Sequence, residues 1–181
     1  IESLFIYCAP IHLLSQDNQL NANFGEPFRV PMLKIRDIDD RPVPANIAIV
    51  RELALKRVDA RLFDAPETLD YLIRYSGGHP RDLLRLLNNA INFAEHECID
   101  RAAAAKAVKQ VANDYRRLIG SEDYKLLVGI DRNPLQPDGF TSEKTARMLY
   151  DLVLLEYNDY FWKSHPLIAT LAGYQAAQSL A

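Results

Sequence analysis

Cysteine is scarce in this chain of 181 residues: Cys8 and Cys98 are far apart and belong to no CxxC pair. That excludes a disulfide framework and a paired-cysteine metal or redox motif, and predicts buried free thiols in a reducing, cytoplasmic setting. Long apolar runs are also missing. None approaches the roughly 18 residues of a membrane span, so no membrane partner is expected. No basic leader precedes the opening apolar stretch SLFIYCAP and no initiator Met stands before it, which leads us to expect an excised C-terminal piece of a longer protein. An excess of basic charge is absent as well. The net charge of −3 supplies no global field toward nucleic acid. No Gly-x-Ser-x-Gly turn, internal repeat or low-complexity tract occurs. What remains is a globular composition, 49% apolar and 25% charged, long enough for one large domain or two small ones.

Apolar spacing divides the chain. Residues 3–9 read as a buried strand ending at Pro10, and 27–37 as a second strand that Pro31 places at an edge or a bulge. The acidic, proline-interrupted stretch with Asp37, Asp39 and Asp40 reads as a solvated connection. Four helices follow: 47–58 after an Asn46 cap, one opened by Pro66, one over about 80–96, and one over about 101–118. Gly120 breaks the pattern. A short helix from Ser121, a Pro-rich loop and a helix capped by Thr141 or Ser142 precede LLEYNDYFWKSHPLI, where Asn158-Asp159 reads as a hairpin turn. The last stretch is read as a terminal helix or a frayed end. The fold expected is mostly α with a few strands, divided at 1–45, 46–120 and 121–181.

YSGGHPRDLLRLLNNA, residues 75–90, is the most informative stretch. Gly77 and Gly78 permit a sharp reversal, and Pro80 suits a first helical turn. Leu83, Leu84, Leu87, Ala90, Ile91 and Ala94 recur at helical spacing and predict the buried face. Arg81 falls in the first turn, where the helix dipole favours negative charge, so an arginine there suits a nearby anion such as a phosphate.

GGHPRDLLRLL resembles the sensor-2 motif of AAA+ ATPases, in which a Gly-x-Pro-Arg turn opens the third helix of a small helical lid. The resemblance implies an α/β P-loop core ending in residues 1–45, a helical-bundle lid over 46–120 and a winged-helix domain over 121–181. It implies a binding role for Arg81, Gly77, Gly78 and Pro80, with Arg81 reaching the γ-phosphate of ATP. ATP and Mg²⁺ would be held mainly by a region ahead of residue 1. The implied function is nucleotide sensing through Arg81, coupled to a partner-binding winged helix and possible nucleotide-linked oligomer formation.

The sequence also departs from that family. It contains no G-x-x-x-x-G-K-[ST] and no apolar strand ending in Asp-Glu, so the 181 residues alone carry no catalytic residues and are not expected to hydrolyse ATP. The strand resembling sensor 1 ends Cys8-Ala9-Pro10 where the family has a polar residue, with Ser15 too far along to substitute. Arg29 and Arg57 are candidates for an arginine finger. His96 and Cys98, between Glu95 and Glu97, do not face one point, so no metal site is expected. His12 has no partner in sequence, and His165 reads as a packed hairpin residue.

The expected recognition helix offers Lys144 and Arg147 beside Glu143 and Asp151, and residues 121–181 carry five basic against eight acidic side chains. A protein partner is therefore favoured over DNA for this unit. Phe161 and Trp162, with Tyr160, form either a contact patch or the closure of a small core. Two alternatives stay open: a winged-helix DNA-binding regulator, and a helical protein-interaction adaptor without nucleotide.

Overall fold

In the computed structural model the described residues are 30, 32–135, 143–158 and 161–180. They are mostly helical, with one two-stranded antiparallel sheet. The expected strand at 3–9, Cys8, His12, Ser15, Arg29, the caps Thr141 and Ser142, Asp159 and Tyr160 lie outside them.

The second expected strand is corrected over its described part. Residues 32–37 are irregular, with an isolated antiparallel bridge from Arg36 to Pro42 around the turn at 38–40. The carbonyls of this segment are taken by other partners. Val43 N–H donates to Ile35 O at 3.0 Å, and Asn46 Nδ2 donates to Lys34 O at 2.7 Å. Asn46 is thus no helix cap. Helix α1 (Pro44–Leu55) starts earlier, because Pro44 fills its first turn without needing an N–H partner.

Helices α2 (Pro66–Tyr75), α3 (Pro80–Phe93) and α4 (Arg101–Arg116) follow. Asp100 caps α4 by accepting the Ala103 N–H at 2.7 Å. The connection before it is tied down where Ile99 bridges Phe63. Helix α5 (Ser121–Arg132) begins after Gly120, whose N–H donates to Asp123 Oδ2 at 2.8 Å. Helix α6 (Glu143–Tyr150) leads into strands β1 (Leu154–Asn158) and β2 (Phe161–Ser164), and α7 (Ala172–Leu180) closes the chain. In the sheet Leu154 faces Ser164 and Leu155 faces Lys163, with the register shifting between Glu156 and Asn158.

One buried cluster runs from Ile35 through α1–α5 to Leu167, Leu171 and Tyr174, and a second, smaller one joins Leu155, Tyr157 and Phe161. Helices α3 and α4 make the most extensive helix–helix contact. Asp131 joins three elements near the chain's end, accepting the Ser164 N–H at 2.8 Å on Oδ1 and the Tyr174 hydroxyl on Oδ2. Among the described residues no helix is long and apolar enough to cross a membrane.

One side-chain expectation changes, and the solvated acidic connection gains contacts. Leu83, Leu87 and Ala90 are buried on α3 together with Leu86, but Leu84 and Ile91 are 40% and 44% exposed. The buried face is rotated toward Asp82, which is 1% exposed. The acidic connection also has structural contacts. Asp37 Oδ1 accepts the N–H groups of Asp39 and Arg41, and Asp40, at φ +61°, pairs with Lys163 of β2 at 3.0 Å. An aspartate tolerates that left-handed backbone better than most residues.

Candidate functional site at the mouth of helix α3

Positive φ angles of 64° at Gly77 and 79° at Gly78 turn the chain from α2 into α3. The turn is enclosed on two sides. A Cβ on Gly78 would lie 2.0 Å from the backbone oxygen of Leu33, and one on Gly77 would lie 2.7 Å from Leu155 Cδ1 and 2.9 Å from Pro166 Cδ. Tyr157 on β1 donates its hydroxyl to Gly77 O at 2.8 Å. Burial pushes the Tyr157 hydroxyl well above its usual pKa range, which keeps it a neutral donor. Ser76 Oγ donates to Ile73 O and accepts the Gly78 N–H. Gly77 and Gly78 therefore sit inside the packing, while Pro80 and Arg81 stand exposed at the helix start. The Arg81 side chain makes no hydrogen bond or ion pair with the described residues.

One residue further on, Asp82 points inward and collects donors from three parts of the chain. Tyr115 at the end of α4 donates its hydroxyl to Oδ2 at 2.7 Å, and Arg85 Nη1 donates to Oδ1 at 2.9 Å. His79 Nδ1 lies 2.9 Å from Oδ2. His165, directly after β2 and fully enclosed, places Nε2 3.2 Å from the same oxygen, close but not aligned as a full hydrogen bond. The Leu167 N–H donates to His165 Nδ1 at 3.2 Å, which puts the ring proton on Nε2, facing the carboxylate. The His165 ring stacks on Tyr115 with centroids 4.8 Å apart. Arg85 also bridges to Asp114 at 3.0 Å.

Burial alone would raise the Asp82 pKa, but His165, His79 and Tyr115 outweigh it and hold the carboxyl far below its usual range. Burial lowers the His165 pKa against the pull of Asp82, so the imidazole is neutral. Burial, with the Asp82 charge beside it, raises that of Tyr115. The folded protein thus holds one buried carboxylate among neutral and cationic donors, joining the first turn of α3 to α4 and to the hairpin side.

A pH dependence follows. The folded pKa of His165 lies below its unfolded value of 6.5. Stability present above about pH 6.5 is therefore lost as pH falls, by up to about 1.4 kcal/mol per pH unit. Asp82, depressed from 3.8, adds a further loss below about pH 4. Urea unfolding of wild type and His165→Gln at pH 7 and pH 5 should show a shallower decline in the variant. Equal declines would remove His165 as the titrating group.

Sequence reasoning assigned Arg81 and the turn to the site but missed Asp82, His79, Arg85 and Tyr115, and it read His165 only as a packed hairpin residue. An Asp in a first helical turn is common, and nothing local marks it for burial. Other candidates have ordinary surroundings. Arg57 is exposed, as are His96 and Glu97, and among the described residues no three His, Cys, Asp or Glu side chains gather to hold a metal.

On α6, Lys144 pairs with Asp123 at 2.6 Å and Arg147 with Asp151 at 3.4 Å. Both cations expected to face a partner are thus engaged within the unit. Phe161 is buried against Tyr157, and Trp162 packs on the main core. These two aromatics belong to the packing; Tyr160, the third residue of the expected patch, lies outside the described residues.

No family model, no curated protein and no solved structure matches this chain.

Proposed function

We propose that these residues form the lid and C-terminal module of an AAA+-like, ATP-dependent switch, with Arg81 as the group that senses the γ-phosphate and residues 121–181 as a winged-helix-like, protein-binding output. The observation that carries this reading is an exposed guanidinium at a helix mouth, without a partner among the described residues, beside a carboxylate fastened to the hairpin side. An arginine in a first turn gains nothing from the helix dipole, and a phosphate oxygen supplies the compensating charge. ATP and Mg²⁺ would be held mainly by a preceding nucleotide-binding region of a longer parent.

Motion toward the phosphate would then be transmitted by the Asp82 contacts. When Arg81 is drawn to a nucleotide, the first turn of α3 moves with it, and Tyr115 and His165 couple that turn to α4 and the hairpin. The paired state of Lys144 and Arg147 favours a protein partner over DNA at α6.

The test is made in the parent polypeptide. Arg81→Ala should leave folding stability within about 0.5 kcal/mol, because the side chain is exposed. It should reduce ATP affinity or turnover about ten- to hundredfold, the value of one charge-assisted contact. Lys is expected to rescue poorly, since it lacks the planar fork. Unchanged turnover together with unchanged nucleotide-linked hydrogen exchange in α3 would overturn the reading, as would a parent without a phosphate-gripping loop.

A further inference from the structure

Residues 121–181 lack a basic surplus, but another surface concentrates positive charge. A groove of about 510 Å³ lies between α4 and the start of α7. Lys109, Asn113 and Arg116 line one side, Gly173 and its neighbours the other, and Tyr71 of α2 completes it. No carboxylate is among its lining residues. A second cleft, of about 610 Å³, differs in this respect: Asp37, Asp40 and Asp131 stand among its cations.

Helix α4 extends the positive charge beyond the groove. Arg101, Lys109 and Arg116 are spaced so that all three fall within about a quarter turn of one another, over a rise of about 22 Å. Lys109 and Arg116 are exposed, and their side chains have no hydrogen bond or ion pair among the described residues. Arg101 stacks on Tyr71, its Cζ 3.3 Å from the ring centroid. Stacking holds the guanidinium while leaving its in-plane N–H groups for a further acceptor. Lys106 is a contrast on the same helix, since Glu95 neutralises it at 2.6 Å.

We propose that the groove and the α4 row of Arg101, Lys109 and Arg116 bind the phosphodiester backbone of a nucleic acid strand. A row of this length outspans a mononucleotide and matches a chain of regularly spaced phosphates. The lining is concave, with Ala105, Ala112 and Asn113 between the cations; its larger apolar members Val108, Tyr124 and Leu171 are buried and Tyr71 is covered by Arg101, so none protrudes for insertion into a lipid surface. Binding of this kind reads backbone and not sequence.

The test is fluorescence anisotropy with a labelled oligonucleotide of about twenty nucleotides, single-stranded and duplex, from about 50 to about 200 mM salt. Lys109→Glu combined with Arg116→Glu should weaken binding at least about tenfold and make the salt dependence shallower by about two. Lys56→Glu with Lys125→Glu changes the net charge equally at surface pairs with Glu52 and Glu122, and should leave binding near wild type. The milder pair Lys109→Gln with Arg116→Gln should shift in the same direction, and circular dichroism checks that each variant is folded. Equal loss in both charge-reversal pairs would overturn the proposal. So would absence of binding at about 50 mM salt, or capture by phosphatidylserine vesicles with the oligonucleotide left free.

Discussion

Asp82→Ala is expected to destabilise the fold by about 3–5 kcal/mol, a large share of the roughly 5–15 kcal/mol available to a domain. The loss would come less from missing attraction than from what is left behind. Tyr115 and His165 are buried and would keep polar groups without a partner, while Arg85 would lose its inner carboxylate. Asp82→Asn keeps the shape and one carbonyl acceptor, so a smaller loss of about 1–3 kcal/mol is expected. Urea denaturation gives both numbers. Combined with Tyr115→Phe, the Asn variant forms a double-mutant cycle whose coupling should be clearly non-zero, since the two groups touch at 2.7 Å. An alanine variant within about 1 kcal/mol of wild type would show that the carboxylate is not a structural hub.

Gly78→Ala is expected to rank next, with a loss of at least about 3 kcal/mol. Its φ of 79° costs an L-residue about 1–2 kcal/mol, and the new Cβ would lie 2.0 Å from Leu33 O, a backbone atom with no rotamer to change. Relief requires the segment around Leu33 and Ile35 to move away, and Ile35 is 2% exposed in the core. Limited proteolysis should therefore open first between residues 32 and 43 in this variant. Gly77→Ala meets the end of the Leu155 side chain and the Pro166 ring, of which the leucine can rotate aside, and should cost less. The reverse order of the two alanine variants would contradict this account of the turn.

These two residues divide what was legible in the sequence from what was not. The helices between Pro66 and Arg132, the Gly-Gly reversal and Pro80 at a helix start follow from signals within a few residues of one another, and the described structure carries them, with the paired strands β1 and β2 flanking the turn expected at Asn158-Asp159. Misses occur where a short pattern had two solutions. The α3 leucines permit a face containing Leu84 and Ile91 or one containing Leu86, and apolar periodicity cannot choose the face that also buries an aspartate. At 27–37, the strand-like run is irregular over its described part because its carbonyls serve α1 and its capping amide.

The sequence by itself determined that the segments between Pro66 and Arg132 are helical and that the chain reverses at Gly77-Gly78, because propensity, capping and backbone freedom act over one or two helical turns. Only the tertiary structure decided which polar groups meet. Asp82 finds Tyr115 across 33 residues, Gly77 receives Tyr157 across 80, and Asp40 finds Lys163 across 123. The choice depends on which helix faces which, and a buried carboxylate is stable only where folding brings donors to it from several distant segments.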